Sequence, residues 1–199
     1  MNAPKSSINL EEAPFNKPKI DTDAFTSPSG LRAISGFVPF LFFTRAAVVG
    51  PRIYSFFRAL RTSNPSMSVG CAGFCWGGKW VTLLVGGREK AADGQFLVEC
   101  GFTAHSSALD IPADLEKVVQ PLSIAHASLD FALGPAAFKT MKQVMDQKSH
   151  CELVVYEGAK HGFAVRGNPN DEKEKRQGME AEEQALRWFE KHLVRKSKL

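Results

Sequence analysis

The sequence predicts an α/β fold built on a mostly parallel sheet with helices on both faces. From about residue 67 onward, short apolar runs alternate with amphipathic segments, which is the order typical of strands and helices in such a sheet. Each apolar run is too continuous to leave one face in water, so the strands are expected to be central ones. The 199 residues, 44% of them hydrophobic, are enough for one domain with a sizeable core.

Four strands and six helices are expected from the apolar pattern. The strands are predicted over residues 67–72, 96–102, 121–127 and 151–156. Apolar residues at helical spacing predict helices over residues 31–43, 46–62, 77–85, 112–118, 135–147 and 172–194. We expect the last helix to bury an apolar face formed by Met179, Leu186, Phe189 and Leu193.

The start of the chain differs in composition from the rest. Residues 1–30 are polar and rich in Pro, Ser, Asn and Asp, so we interpret them as an irregular arm before a single domain over residues 31–199. The first residues lack the pattern of a signal peptide, and the most apolar stretch, 36–43, is short and contains Pro39. That stretch is predicted to be a core helix, or a helix under a substrate pocket, in preference to a membrane anchor. The protein is predicted to be cytoplasmic, without a membrane partner.

Charge and cysteine content exclude several classes of protein. The 25 basic and 21 acidic residues leave a net charge of +4 that is spread along the sequence. No basic stripe is interleaved with stacking aromatics, so we do not expect nucleic acid as a partner. The four cysteines lie mostly in apolar runs, where cysteine behaves as a small hydrophobe, and no Cys-x-x-Cys pair indicates a metal site.

A glycine-flanked cysteine follows the first predicted strand. Residues 73–78 read Gly-Phe-Cys-Trp-Gly-Gly, and Gly-x-Cys-x-Gly between a strand and a helix is the thiol form of the nucleophile elbow. Gly73 and Gly77 are expected to relieve clashes in this tight turn. Cys75 is the candidate nucleophile, because a helix N-terminus stabilises a thiolate, and the Trp76 N–H is the candidate oxyanion donor. The alternative is a buried cysteine in a glycine-rich turn.

A candidate acid and a candidate base follow the cysteine in the order typical of this kind of sheet. Asp130 comes just after the third predicted strand, which puts its carboxylate at the carboxyl edge where α/β active sites lie. His161 follows the last predicted strand in a glycine-flanked loop that can place its imidazole over the thiol. Two alternatives remain: Asp130 caps the helix that begins near Gly134, or His161 is an inert loop histidine.

Three further residues are candidates for contacting substrate. His105 follows the second predicted strand at the same sheet edge, where it either lines a pocket or makes a structural hydrogen bond. Arg166, close to His161 in sequence, either pairs with a substrate carboxylate as a planar fork or lies exposed without a role. Phe163 belongs to the loop that carries the candidate base.

These residues resemble the dienelactone hydrolases, and most closely the fungal members of that family. The resemblance rests on Gly73–Lys79, on Asp130 and on the run His161-Gly162-Phe163, and it extends from about residue 37 to the C-terminus. It implies an α/β-hydrolase fold and hydrolysis of a small lactone or ester by a Cys-His-Asp triad through a thioester. It also implies that no metal or organic cofactor takes part.

The family's first strands, and the oxyanion loop that follows one of them, have no counterpart in residues 1–36. We therefore expect an N-terminally shortened sheet in which the strand 67–72 is an edge. Such edges invite pairing, so residues 1–62 or a second copy of the chain are expected to cover it. The second oxyanion donor is not located.

The shortened sheet leaves two functions open: a lactone or ester hydrolase, or a weakly active relative that acts as a binding protein. Redox chemistry between Cys71 and Cys75 is disfavoured, because such closely spaced strand and turn positions rarely suit a disulfide.

Overall fold

The computed structural model describes residues 42–193. The residues from Ala46 onward belong to one compact unit, whose boundary lies between Arg45 and Ala46. The predicted arm, 1–30, and all but the last two residues of the predicted helix 31–43 lie outside the described residues. Within the described part, no helix has the length and hydropathy that crossing a membrane requires.

Helices and strands alternate along the described chain, as the sequence predicts. Among the described elements, the helix at Phe163–Arg166 is the one that the apolar pattern does not predict. The elements are α1 (Ala46–Ser63), β1 (Gly70–Phe74), α2 (Trp76–Val85), β2 (Cys100–Ala104), α3 (Ala113–Glu116), β3 (Leu122–Leu129), α4 (Pro135–Asp146), β4 (Cys151–Lys160), α5 (Phe163–Arg166) and α6 (Glu172–His192).

The four strands form one parallel sheet in the order β1-β2-β3-β4. The register places Gly73 opposite Thr103 and Ala104 opposite Ala125, so the carboxyl ends of β1, β2 and β3 lie side by side. Every connection between neighbouring strands contains a helix, which parallel pairing requires. The predicted parallel α/β architecture is confirmed.

Alternate side chains of the sheet enter two different cores. On β3, Leu122 and Ile124 pack in a cluster with residues of α1, α2, α3 and α4. Ala125 and Ala127 point to the opposite face and pack with residues of α5 and α6. Because successive strand residues face opposite sides, this division places helices on both faces, as predicted.

The buried face of α6 differs from the predicted one. Met179 and Leu186 are more than half exposed, and Phe189 and Leu193 are partly buried. The residues that are buried share a helical spacing on a neighbouring face: Gln177, Ala181, Gln184 and Trp188. Two of these are glutamines whose amides are hydrogen-bonded, Gln184 to Ser123 and Gln177 to the Glu157 carbonyl. A search for apolar periodicity misses a face that is satisfied by hydrogen bonds.

The predicted starts of β1 and β2, at residues 67 and 96, are too early. Before β2, Leu97 and Val98 are apolar because they are buried, at 1% and 0% exposed, and not because they pair as strand residues; before β1, Met67 is 46% exposed. The guanidinium of Arg61, itself 3% exposed, donates to the carbonyls of Leu97 and Met67 and pairs with Glu99. Arg61 therefore anchors α1 to the segments that lead into both strands, and satisfies carbonyls that a ladder would otherwise use.

The strand that precedes the glycine-flanked cysteine lies at one edge of the described sheet. Within residues 42–193, β1 pairs only with β2, so its outer edge has no described strand partner. Among the described residues the strand, at Gly70–Phe74, has the expected edge position. Residues of α1 pack into the core cluster on one face of the sheet, and residues 1–41, also expected to cover this edge, are not described.

Candidate active site

The turn between β1 and α2 has the backbone of a nucleophile elbow. Cys75 has φ 53° and ψ −122°, a conformation that an L-residue adopts only under strain. The turn is so tight that a Cβ at Gly73 would lie 2.5 Å from the Gly77 carbonyl oxygen. Glycine at position 73 is therefore required, as the sequence predicts. The cysteine side chain projects from the carboxyl end of the strand.

The second glycine that the elbow requires is Gly78, and the prediction for Gly77 is wrong. A Cβ at Gly77 would meet nothing within 4 Å. A Cβ at Gly78 would clash with the hydroxyls of Thr103 and Ser106, the latter at 2.5 Å. The first turn of α2 thus approaches the loop after β2 so closely that only glycine fits.

His161 reaches the thiol from the far end of the chain. Its Nε2 lies 3.0 Å from Cys75 Sγ, although the two residues are 86 positions apart in sequence. His161 follows the last residue of β4, and the next residue, Gly162, has φ 95°, which glycine adopts without strain. The imidazole is 4% exposed and the cysteine is half-buried, so a partly buried contact joins the two candidate groups.

Asp130 contacts the other nitrogen of the same imidazole. Its two carboxylate oxygens lie 2.8 Å and 3.0 Å from His161 Nδ1, and its side chain is fully buried. One oxygen also accepts a hydrogen bond from the Ala132 N–H at 2.8 Å. The N-cap residue of α4 is Gly134, and no side chain caps this helix end, so Asp130 does not cap that helix. The Asp130 carboxylate instead contacts the imidazole of His161.

The thiol of Cys75 differs from the other three in its surroundings. Burial opposes its ionisation, but hydrogen bonds from His161, Ser107 and the Trp76 N–H outweigh that effect and lower the pKa of Cys75. Burial raises the pKa of Cys71 and of Cys151, and it raises the pKa of Cys100 to about 12. Because the thiolate is the reactive form, the geometry favours one nucleophile among the four.

Two residues predicted to contact substrate are instead buried beneath the site. His105 is fully buried, and its ring lies 5.0 Å, centroid to centroid, from that of His161. Phe163 is 5% exposed and packs against Tyr156 in the core. His105 thus packs against the imidazole of His161, and Phe163 packs in turn against His105, with their ring centroids 5.9 Å apart. Of the two alternatives for His105, a pocket-lining residue does not fit.

His105 also does not make the structural hydrogen bond that was the other expectation. Neither of its ring nitrogens has a hydrogen-bond partner among the described residues. Burial lowers the pKa of His105 to about 4, and the neighbouring His161 acts in the same direction. His105 is thus a neutral packing residue.

Arg166 lies at the surface beside the histidine loop. It is exposed, and its guanidinium packs over Gly162, within 3.1 Å of where a Cβ would stand. It can therefore approach a ligand bound near His161, and both expectations for it remain predictions.

Two residues at the site are missed by the sequence reasoning. Ser107 Oγ lies 3.6 Å from Cys75 Sγ. Phe131 is 74% exposed, and its ring centroid lies 4.8 Å from that of His161. The signal was available, because both residues follow strands whose carboxyl ends were assigned to the site edge. Ser107 shares its loop with His105, and Phe131 directly follows Asp130.

The arrangement can move a proton and form a covalent bond. His161 can accept the thiol proton through Nε2 while Asp130 holds Nδ1, and the freed sulfur can attack an electrophilic carbon. Within residues 42–193, no group of three or more His, Cys, Asp or Glu side chains is placed to hold a metal ion.

Comparison with known sequences identifies relatives over most of the described chain. A model of the dienelactone hydrolase family matches residues 47–193. The hydrolase tropI of Talaromyces stipitatus is 27% identical over 139 residues, which are 69% of this chain and 51% of that protein. The hydrolase pyvD of Aspergillus violaceofuscus is 25% identical over 144 residues, 72% of this chain and 55% of that protein. The chain thus spans about half the length of these curated relatives.

Solved structures share the fold at low sequence identity. A dienelactone hydrolase from Anabaena variabilis aligns with a TM-score of 0.54 at 16% identity, covering 74% of this chain and 61% of that one. The dienelactone hydrolase-like promiscuous phosphotriesterase P91, from metagenomic libraries, aligns with a TM-score of 0.58 at 15% identity, covering 82% and 69%. At these identities the likeness establishes the fold.

Proposed function

Because the chain belongs to the dienelactone hydrolase family, we propose that it hydrolyses a small lactone or carboxylic ester, with Cys75 as the nucleophile. The observation that carries the proposal is the unbroken line of contacts from sulfur to imidazole to carboxylate, 3.0 Å and 2.8 Å long. A thiol on a strained turn, paired with a histidine that a buried acid orients, is an arrangement suited to acyl transfer.

In the first half of the proposed reaction, the substrate acylates the enzyme. His161 Nε2 takes the proton of Cys75, and the sulfur attacks the ester or lactone carbonyl carbon. The carbonyl electron pair moves onto oxygen, where the Trp76 N–H helps to hold the negative charge. When the intermediate collapses, the carbon–oxygen bond to the alcohol breaks and His161 returns its proton to the leaving oxygen. A thioester on Cys75 remains.

In the second half, water releases the acyl group. His161 removes a proton from the water as it attacks the thioester carbonyl, and the carbon–sulfur bond then breaks. The products are the carboxylic acid and the free thiol or thiolate of Cys75. In a lactone, the alcohol released in the first half stays attached to the same molecule, so a single hydroxy acid leaves.

Asp130 is proposed to fix the working tautomer of His161 and to stabilise the imidazolium that forms. Its buried carboxylate accepts the Nδ1–H with both oxygens, which leaves Nε2 free to receive the thiol proton. The acid itself keeps its charge throughout.

The proposed substrate is a small molecule, and its identity is left at the level of an ester or lactone. The names of the relatives support hydrolysis in general. Arg166, exposed beside the histidine loop, is the candidate to pair with a carboxylate on the substrate. Phe131, whose exposed ring lies against that of His161, is the candidate to contact an apolar part of it.

A second function remains open, that of a weakly active relative that binds a partner. The edge position of β1 favours it, because an edge without a described strand neighbour offers a surface for pairing. Self-association through this edge is the specific form of the proposal. Light scattering of the full chain is expected to show a dimer, and a monomer at all concentrations would contradict it.

Steady-state turnover of a panel of nitrophenyl esters and simple lactones tests the proposed function. We expect wild type to hydrolyse members of the panel and Cys75→Ala to lose the activity. Cys71→Ala is the matched control, since it removes a buried thiol four positions earlier that does not contact His161. Equal rates for wild type and Cys75→Ala would refute the proposal and favour the binding protein.

A further inference from the structure

We propose that Ser107 is a further catalytic residue: its hydroxyl donates a hydrogen bond to Cys75 Sγ whenever that sulfur carries negative charge. The charge is present on the thiolate before attack and again on the sulfur as the thioester breaks. The inference rests on the proposed function for its catalytic meaning, but the contact itself can be tested without a substrate.

The first observation is that Ser107 is held to Cys75 at two points. Its Oγ lies 3.6 Å from Sγ, within hydrogen-bonding range of a sulfur atom. Its main-chain N–H donates to the Cys75 carbonyl at 3.0 Å. The main-chain bond fixes the serine beside the nucleophile, so the position of the hydroxyl does not depend on the side chain alone.

The second observation is that the loop carrying Ser107 is locked to the elbow. The Cys75 N–H donates to the Ala104 carbonyl, and the His105 N–H donates to the Ala125 carbonyl. The hydroxyls of Thr103 and Ser106 lie 2.7 Å apart and occupy the space that a Cβ at position 78 would need. The loop and the first turn of α2 therefore fit together only because residue 78 is glycine.

The third observation is backbone strain on both sides of the serine pair. His105 has φ 40° and Ala108 has φ 59°, and neither is glycine. Residues persist in this region when the surrounding structure over-determines them, and such strain concentrates at functional sites. The strained residues flank Ser106 and Ser107, so the strained backbone holds these two serines in position.

The hydroxyls of Ser106 and Ser107 make different contacts. Ser106 is 4% exposed and its hydroxyl bonds to Thr103, which is a structural contact inside the loop. Ser107 is partly exposed, and among residues 42–193 its hydroxyl has Cys75 Sγ as its hydrogen-bonding partner. A purely structural reading explains Ser106 and leaves the direction of the Ser107 hydroxyl without a reason.

Electrostatics around the sulfur agree with this role. The titratable groups at the site are His161, which contacts Sγ, Asp130 behind it, and the buried His105 below. Burial opposes ionisation of Cys75, and the hydrogen bond from Ser107 is among those that lower its pKa. Ser107 transfers no proton in either half-reaction: the proton moves between sulfur, His161 and the alcohol or water.

Titration of the thiolate tests the contact directly. The absorbance of a thiolate near 240 nm is followed against pH in wild type, with the signal of Cys75→Ala subtracted. The other three cysteines have raised pKa values, so the subtracted signal at neutral pH belongs to Cys75. We expect Ser107→Ala to raise the midpoint by about one pH unit, which is the size expected for one hydrogen bond to a charged group.

Two control comparisons separate the hydroxyl from the loop. Ser106→Ala removes a structural hydroxyl from the neighbouring residue and is expected to leave the midpoint in place. Ser107→Thr keeps the hydroxyl and is expected to titrate like wild type, while Ser107→Val, of the same shape, titrates like Ser107→Ala. The Thr and Val pair decides the question if the alanine variant does not fold.

An unchanged midpoint in Ser107→Ala or Ser107→Val would overturn the inference, and so would an equal shift in Ser106→Ala. A chain that hydrolyses no ester but shows the shift would refute the proposed function and leave the hydrogen bond standing. Ester hydrolysis by a chain whose midpoint does not shift in Ser107→Ala would support the proposed function and refute the hydrogen bond from Ser107.

Discussion

His161 lies between Asp130 and Cys75, and one of its ring nitrogens contacts each of them. Both oxygens of the Asp130 carboxylate lie within 3.0 Å of Nδ1, and Nε2 lies 3.0 Å from the sulfur. Because the acid is buried and the ring is 4% exposed, water has little access to the contact between the imidazole and the carboxylate. The orientation of the imidazole therefore depends on the carboxylate.

Asp130→Asn tests that dependence. The amide keeps the shape of the side chain, but its NH₂ group favours the wrong tautomer of His161. We expect kcat/KM for an ester substrate to fall by about 10³–10⁴, measured by steady-state kinetics. Asp110→Asn, an exposed site in the chain that leads away from β2, is the control and should retain full activity. A loss smaller than about tenfold would argue against the role proposed for Asp130.

Gly78→Ala and Gly77→Ala form a pair of neighbouring substitutions with opposite expected effects. The added methyl at position 78 meets the hydroxyls of Thr103 and Ser106, so the free energy of unfolding should fall by about 1–3 kcal/mol. At position 77 it meets nothing, and replacing a helical glycine should raise the free energy of unfolding by about 0.5–1 kcal/mol. Chemical denaturation measures both. The same sign for the two variants would contradict the packing described.

Arg61→Ala tests the anchor between α1 and the starts of β1 and β2. The substitution leaves a partly buried glutamate and two carbonyls without their partner, so we expect a loss of about 3 kcal/mol in the free energy of unfolding. Arg58→Ala, three residues earlier on the same helix, breaks an exposed ion pair with Glu89 and should cost less than about 1 kcal/mol. Equal losses in urea denaturation would show that burial does not distinguish the two arginines.

His126 makes stability depend on pH. It is 4% exposed and stacks on Phe138, and burial lowers the pKa of His126 to about 4 against partial opposition from Asp130. Between pH 6.5 and 4 the unfolded chain binds the proton and the folded chain does not, so stability is full above pH 6.5 and falls as the pH falls. His105, with a pKa also lowered to about 4, acts in the same direction.

His126→Phe keeps the stacked ring and removes the proton-binding site. Between pH 7 and pH 4, the variant should lose about 2–3 kcal/mol less free energy of unfolding than wild type. Denaturation series at several pH values measure the difference. Parallel stability curves for the two proteins would mean that His126 binds its proton equally well in both states.

The parts of the site that local sequence dictates were predictable. The glycines around Cys75 indicate the elbow. Asp130 and His161 each follow an apolar run that ends at the sheet edge. Parallel strands carry their following residues to one edge whatever the intervening helices contain. The positions of Cys75, Asp130 and His161 after successive strands are therefore enough to predict that they lie at the same sheet edge.

The parts that depend on contacts between distant segments were not predictable. The position of Ser107 after β2 predicts only that it lies near the site edge; its contact with the sulfur depends on the fit of the loop against Gly78. The buried face of α6 contains Gln177 and Gln184, which apolar periodicity assigns to solvent. In both cases the missing information is a hydrogen-bonding partner far away in sequence.

Capture of the acyl-enzyme tests the central claim most directly. The chain is mixed with 4-nitrophenyl acetate, quenched in acid within the first turnover, and analysed by intact mass spectrometry and peptide mapping. We predict one acetyl group per chain, located on the peptide that contains Cys75, absent from Cys75→Ala and formed far more slowly in His161→Ala. Acetylation that is equal in wild type and Cys75→Ala, or located on another residue, would contradict the account.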